Sequence, residues 1–383
     1  MSENLRLIAK TITGLEEVLA KELLRLGARD VEPLNRAVAF TGDKGFIYKA
    51  NYCLHTALRI LVPIHTFTVH DEQSLYDAIK KMPWEDYIDV VDSIAIDTVL
   101  ATRIFNHSQF ISQKTKDAIV DRFREKFGSR PNVDLRDPVL RIHLHINDDV
   151  CSVAFDSSGD SLHKRGYREQ TNLAPMNEVL AAGLVKLSGW QKHQPLIDPM
   201  CGSGTILIEA ALIGGNIPPG YYRERFGFMR WKKYMPFDEE LWKTICDGAV
   251  ARIDASDITI LGGELSHNVA RKAKENVKLA RVEDMVSIQE GNMADFDPPK
   301  AKGVVIVNPP YGERMDKDDL AELYKMIGDT FKKKFAGYDC WLITSNKEAL
   351  KHVGLRTSRR IPVFNGPLEC RFVKYEMYEG SHK

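Results

Sequence analysis

Three short segments carry residue types that could do chemistry, and each follows a predicted strand. The first is Asp198-Pro199-Met200-Cys201-Gly202-Ser203-Gly204-Thr205, set between Leu196-Ile197 and a predicted helix. Glycines at 202 and 204 let a ligand approach the backbone, and the helix start offers free N–H groups to a negative group. A dinucleotide fingerprint needs a third glycine where Leu207 stands, and no GxxxxGK[ST] occurs, so neither NAD nor ATP is favoured. The second is Glu264, at the tip of a predicted strand over 258–263. A carboxylate there can accept both hydrogen bonds of a ribose diol. Asp257 competes for that role, but Ala273 and Asn276 stand nine and twelve residues after Glu264, a normal distance from strand tip to helix. The third is Asn308-Pro309-Pro310-Tyr311, after the β-branched run Val304-Val305-Ile306-Val307. Two prolines fix a rigid turn and free backbone carbonyls from any ladder. The Asn308 side-chain carbonyl and the Pro309 carbonyl are then two acceptors, beside the flat face of Tyr311. That set suits an exocyclic amine on a planar heterocycle, whose lone pair two acceptors draw out of conjugation.

Elements must bring these segments together. From about residue 171 short apolar strands alternate with helices: strands at 196–198, 258–263, 304–307 and 341–343, helices at 204–212, 268–279 and 320–335. This rhythm predicts an α/β, doubly wound parallel sheet, whose ligands bind at the carboxyl ends of the strands. The first 160 residues read instead as α+β. Leu15, Val18, Leu19, Leu23 and Leu26 recur at three and four before Gly27, and predict a helix. Further helices are predicted over 46–59 and 111–127, the latter with Ile119, Val120, Phe123 and Phe127 inward. Strands are predicted at 38–40, 94–102 and 139–146. With no glycine-rich loop, this half reads as a binding module.

The 383 residues hold 53 Lys plus Arg and 53 Asp plus Glu, a neutral total that excludes a blanket polyanion binder. The total hides local imbalance. Residues 101–141 carry nine basic against five acidic side chains, and a basic knot, His163-Lys164-Arg165-Gly166-Tyr167-Arg168, lies where the composition shifts. No apolar run reaches membrane-spanning length. The first residues read as neither secretory signal nor transit peptide. Six scattered cysteines with no CxxC argue against zinc and disulfides, and for a reducing cytoplasm.

Together DPMCGSGT, Glu264 and NPPY look like an S-adenosyl-L-methionine-dependent methyltransferase acting on an amino group. More closely, the chain resembles the THUMP-domain RNA methyltransferases, and among them the bacterial large-subunit (23S) rRNA guanine-N2 methyltransferases. The resemblance runs almost end to end. It includes 116–134, SGDSLHKRGYRE at 158–169, NEVLAAGLVKLSGW at 177–190, DPMCGSGTILIEAA at 198–211, RFGFMRW at 225–231 and NGPLECRFVKYEM at 365–377. It implies a ferredoxin-like domain over 1–64, a THUMP domain over 65–155, a basic hinge over 156–170 and a Rossmann-like catalytic domain over 171–383. Within the last, Asp198 through Thr205 would line the methionine end of the cofactor and Glu264 would hold its ribose. Asn292, followed by Met293, stands where the family more often has Asp to meet the adenine amine. Asn308 and Pro309 would bind the target amine, Pro310 would complete the turn and Tyr311 would stack on the base. RNA would be gripped by Lys114, Lys116, Arg122, Lys164, Arg165, Tyr167, Arg168, Arg225 and Arg230. The insert 223–231, with Phe226, Phe228 and Trp231 among its arginines, is either part of that grip or a hydrophobic cap. No metal or membrane is implied. Rival readings are a tRNA guanine methyltransferase on the same scaffold, an adenine-N6 or glutamine methylase, and a non-catalytic RNA-binding protein.

Overall fold

The structure, a computed structural model, describes residues 4–167, 176–310 and 316–378. Among these, the first half runs β1 (Leu5–Lys10), α1 (Glu16–Leu26), β2 (Arg29–Leu34), β3 (Ala37–Gly42), α2 (Lys44–Cys53), β4 (Arg59–Thr68), α3 (Glu72–Lys81), β5 (Ser93–Ala101), α4 (Ser108–Phe127), β6 (Asn132–Val133), β7 (Leu140–Asn147) and β8 (Val150–Asp156). Its strands form one sheet in the order β2-β3-β1-β4-β8-β7-β5-β6. The sheet is continuous because the ten-residue β4 pairs with β1 through Arg59–Leu61 and with β8 through Leu61–Thr68. Helix α1 ends at Gly27, which caps it in the left-handed conformation.

Two expectations fail here for identifiable reasons. The helix predicted over 46–59 stops at Cys53. Leu54 is extended, and the β-branched Ile60 and Val62 beyond it go into the core of β4. Phe127, expected inward, is 49% exposed, because α4 ends at Gly128 beyond the edge of the core.

The second half runs α5 (Glu178–Ser188), β9 (Leu196–Asp198), α6 (Thr205–Gly214), α7 (Glu239–Val250), β10 (Ile260–Glu264), α8 (His267–Leu279), β11 (Val286–Glu290), β12 (Val304–Val307), α9 (Lys317–Lys334), β13 (Asp339–Thr344), β14 (Arg359–Asn365) and β15 (Leu368–Glu376). The sheet order is β11-β10-β9-β12-β13-β15-β14. The strands from β11 to β13 are parallel, and β15 is antiparallel to both its neighbours. All four residues of β12 are buried, as a strand covered by helices on both faces requires. Two apolar clusters fill the two faces of this sheet. Between α6 and α7 the chain leaves this half, and residues 226–237 pack on the other. Phe226, Phe228 and Trp231 lie in the core of the first sheet, with Phe228 stacked on Tyr48 at 4.4 Å. The Gly220 N–H donates to the Tyr52 carbonyl, and Trp242 of α7 meets the edges of the Tyr48 and Tyr52 rings.

Candidate active site

The middle strands of the second sheet are β10, β9 and β12, in that spatial order, and the three chemical segments leave their carboxyl ends. Register places Leu196 beside both Ile260 and Val304, so Asp198, Glu264 and Asn308 emerge side by side. Asp257, in contrast, precedes β10 and lies at the other end of the sheet, exposed.

The glycine loop is held from several directions. The Asp198 carboxylate accepts from the Met200 N–H at 3.1 Å, the Cys201 N–H donates to the Gly263 carbonyl at 2.8 Å, and the Gly204 N–H closes on the Cys201 carbonyl. Gly202 and Gly204 have φ of +53° and +81°, a region side chains rarely enter, and a Cβ on Gly202 would point into open space. A Cβ on Gly263 would lie 3.0 Å from the Pro199 carbonyl oxygen, and one on Gly262 would press on the end of the Leu207 side chain. That explains the unusual Leu-Gly-Gly-Glu sequence of β10.

Asn276 was not among the residues expected to act here. Its side-chain amide donates to the Ser203 carbonyl at 2.9 Å and ties the loop to α8. An amide twelve residues after the strand-tip acid was a visible signal for this bond.

Glu264 bridges the loop and the next helix. One carboxylate oxygen accepts from the Gly202 N–H at 3.1 Å and the other from the Ser266 N–H at 2.9 Å. Each oxygen retains a further lone pair, enough for two hydroxyl donors. Asp198 is fully enclosed, and burial, reinforced by the neighbouring Glu264, pushes its carboxyl up to about 8 despite the Met200 N–H. Cys201 is raised by the same burial, so its thiol is inert. Asn292 is exposed and its side-chain oxygen caps its own turn by accepting from the Ala294 N–H, while Met293 is buried. At Asn308 the side-chain oxygen is buried with no hydrogen-bond partner among the described residues. Pro309 is buried and Pro310 exposed. Tyr311 lies outside the described residues.

Several residues expected to grip RNA have other work. Arg165 is buried in a two-pronged pair with Glu209, at 3.1 and 3.0 Å, and also donates to the Leu162 and His55 carbonyls. Tyr167 is buried against the same Glu209. Gly166 between them has φ +101°, and a Cβ there would lie 2.5 Å from the Tyr222 carbonyl oxygen. Arg122 holds Glu85 with two bonds of 2.7 Å and donates to the Lys80 carbonyl. These three serve the fold rather than an RNA surface, because their polar atoms are already used inside the protein. The aromatic rings of 223–231 are likewise core, so that insert is a cap and not a stacking platform. Lys114 sits over the Tyr76 ring, Lys116 pairs with Asp117, and Lys164, exposed, reaches Asp160. Arg225 and Arg230 both meet Asp137. Arg168 lies outside the described residues. Among the described residues no group of His, Cys, Asp or Glu could hold a metal ion, and no helix is long and apolar enough to cross a membrane.

Comparison with known proteins gives this geometry relatives. A family described as RMKL-like, methyltransferase domain, matches residues 165–374, more than half the chain. A THUMP domain matches 69–156 and an RlmL ferredoxin-like domain 6–61. The Synechocystis protein slr0064, named by inference as an RNA methyltransferase, is 39% identical over 97% of this chain and 96% of its own. A protein of Syntrophotalea carbinolica named ribosomal RNA large subunit methyltransferase K/L is 36% identical over 99% of this chain but 54% of its own. The chain thus spans about half the length of the K/L relatives. Among solved structures, SMU.472 in complex with SAH superimposes with a TM-score of 0.86 at 29% identity, each chain fully covered. A Listeria monocytogenes chain, described by prediction as an N6-adenine-specific DNA methylase, gives 0.86 at 30%, over 98% of this chain and 97% of its own. The chain belongs to the RMKL-like methyltransferase family, with a ferredoxin-like domain and a THUMP domain ahead of its methyltransferase domain.

Proposed function

We propose that the protein transfers the methyl group of S-adenosyl-L-methionine to the exocyclic N2 amine of a guanosine in large-subunit ribosomal RNA. The observation that carries this reading is the Asn308 side-chain oxygen, buried at the end of β12 without a partner among the described residues. A buried acceptor left unmade costs about 1–3 kcal/mol, a cost removed when a ligand donor fills it. An aromatic amine supplies that donor. Asn308 and the Pro309 carbonyl accept its two hydrogens and leave its lone pair directed at the electrophile.

The cofactor fits the residues present. Gly202 opens toward free space, Glu264 keeps lone pairs for a ribose diol, and Asp198 can meet the cationic methionine end. Met293, buried beside Asn292, offers an apolar wall for the adenine. S-adenosylmethionine, when bound, supplies a methyl group on a sulfonium that is already a good leaving group. The chain's task is in-line positioning and exclusion of water. Reaching a base inside a helix requires extruding it, at a few kcal/mol.

RNA as the substrate class is supported by the THUMP match and by the relatives' names. The Listeria likeness favours a second reading, methylation of adenine N6, because that amine needs the same two acceptors. The deciding experiment incubates the protein with tritiated S-adenosylmethionine and RNA from cells lacking its gene, then digests the RNA to nucleosides. Label in N2-methylguanosine of the large rRNA is expected. Label confined to tRNA, or to methyladenosine, would overturn the assignment.

A further inference from the structure

A cleft of about 1240 Å³ lies between the two halves rather than within either. Its walls are the loop before β7, the segment 156–167, the start of α5 and the insert 222–230. Helix α5 packs on β12, the strand that ends at Asn308, and its N-cap Asn177 and first residue Glu178 line the cleft. The walls are rigid. Arg223 donates to the carbonyls of Ser158, Asp160, Ser161 and Lys164, which locks the insert to the hinge.

On that platform stand two cations of a different kind. Arg225 and Arg230 converge on one oxygen of Asp137, and Arg230 also donates to the Asp137 carbonyl. The Arg225 side chain is 75% exposed and lies 3.4 Å from that oxygen. Asp137 itself is about half exposed, so its pair with Arg225 is solvated and weak. Arg136 and Lys164, both exposed, flank it within the same cleft. Two guanidiniums around a single oxyanion, weakly held, form a site that a phosphate oxygen fits as well as a carboxylate does.

We propose that this cleft binds a backbone phosphate of the RNA beside the target nucleotide, and that Asp137 occupies the phosphate position in the free protein. The phosphodiester displaces the carboxylate from Arg225 and Arg230, and Asp137 turns to solvent. The exchange rests on RNA being the substrate of the neighbouring site. It makes Asp137 a brake on unspecific binding, since every phosphate must compete with an acid already in place.

The test measures binding of a labelled large-subunit rRNA transcript across a series of salt concentrations, with no methyl transfer involved. Asp137→Asn keeps the shape and removes the competitor. Its affinity is expected to rise about three- to tenfold, and its salt dependence to steepen by about one unit of slope. Arg225→Glu, at an exposed position, is expected to weaken binding by a similar factor and to abolish the gain from Asp137→Asn when combined with it. Equal or weaker binding by Asp137→Asn, or an additive double variant, would overturn the exchange. A structured RNA that is not methylated reports the same contact, so failure of the guanine assignment and failure of this proposal are separate results.

Discussion

The strand tips of the second sheet and the junction between the two halves are both polar, yet they treat polar groups in opposite ways. At the junction the deeply buried carboxylates are answered, although Nδ1 of His55 and Nε of Arg223 are buried without a partner among the described residues. Arg165 meets Glu209 and two carbonyls, and Glu22 meets Lys186 and accepts from the Thr56 N–H. At the strand tips capacity is left over: Asn308 has a buried oxygen with no donor among the described residues, Glu264 has spare lone pairs, and Asp198 is held in a place that resists its charge. Satisfied polar groups fix where the halves sit. Unsatisfied ones wait for a ligand.

The largest effect should come from breaking the satisfied side. Arg165→Met leaves the Glu209 carboxylate buried without its cation, a loss of about 3–5 kcal/mol. Urea unfolding should show that loss as a lower midpoint, with methyl transfer failing only as the protein unfolds. Arg165→Met combined with Glu209→Leu should recover much of it, because the buried charge is then gone. A single variant with an unchanged midpoint would remove the pair from the structural framework.

The unsatisfied side should respond in reverse. Asn308→Ala deletes a buried acceptor that makes no bond among the described residues, so its unfolding midpoint should hold or rise. Transfer should fall about 10²–10³-fold, the range seen when one preorganised polar group aimed at a reacting centre is removed. Cofactor binding, read by calorimetry, should stay nearly unchanged. Normal turnover in this variant would take Asn308 out of the site.

Much of the strand-tip geometry could be read from sequence because its signals are local. Four β-branched residues before Asn308 and an apolar pair before Asp198 mark strands, and an α/β sheet sends its ligands to their ends. The junction was misread because its partners are distant in sequence. Arg165 sits in a basic hexamer that looks like an RNA grip, and its acid lies 44 residues on. A signal was present: Glu209 interrupts Thr-Ile-Leu-Ile-Glu-Ala-Ala-Leu-Ile, a helix otherwise fit only for burial, and a buried carboxylate demands a buried cation. Phe226, Phe228 and Trp231 similarly belong to a core contributed by another part of the chain, which no local pattern reveals.

The smallest effect lies within the strand-tip site and concerns protons. Asp198 has its carboxyl raised to about 8, first by burial and then by Glu264, so at pH 7 the free protein holds it mostly protonated. Its unfolded value is near 3.9, so this group favours the folded state most below that pH. The contribution is lost as pH rises, and is gone above about 8. A ligand that places the ammonium of its amino-acid end beside this carboxylate favours the ionised form and must release the proton. Binding of S-adenosylhomocysteine should therefore tighten between pH 6 and 8, by at most about tenfold per unit, and gain nothing from this group at higher pH. Calorimetry at pH 7 in two buffers of different ionisation heat should give two different apparent enthalpies, with the difference absent in Asp198→Asn. Equal heats in the wild-type protein would show that Asp198 is ionised before the cofactor arrives. Burial at the strand tip would then be answered in the free protein too, and the contrast with the junction would rest on Asn308 and Glu264.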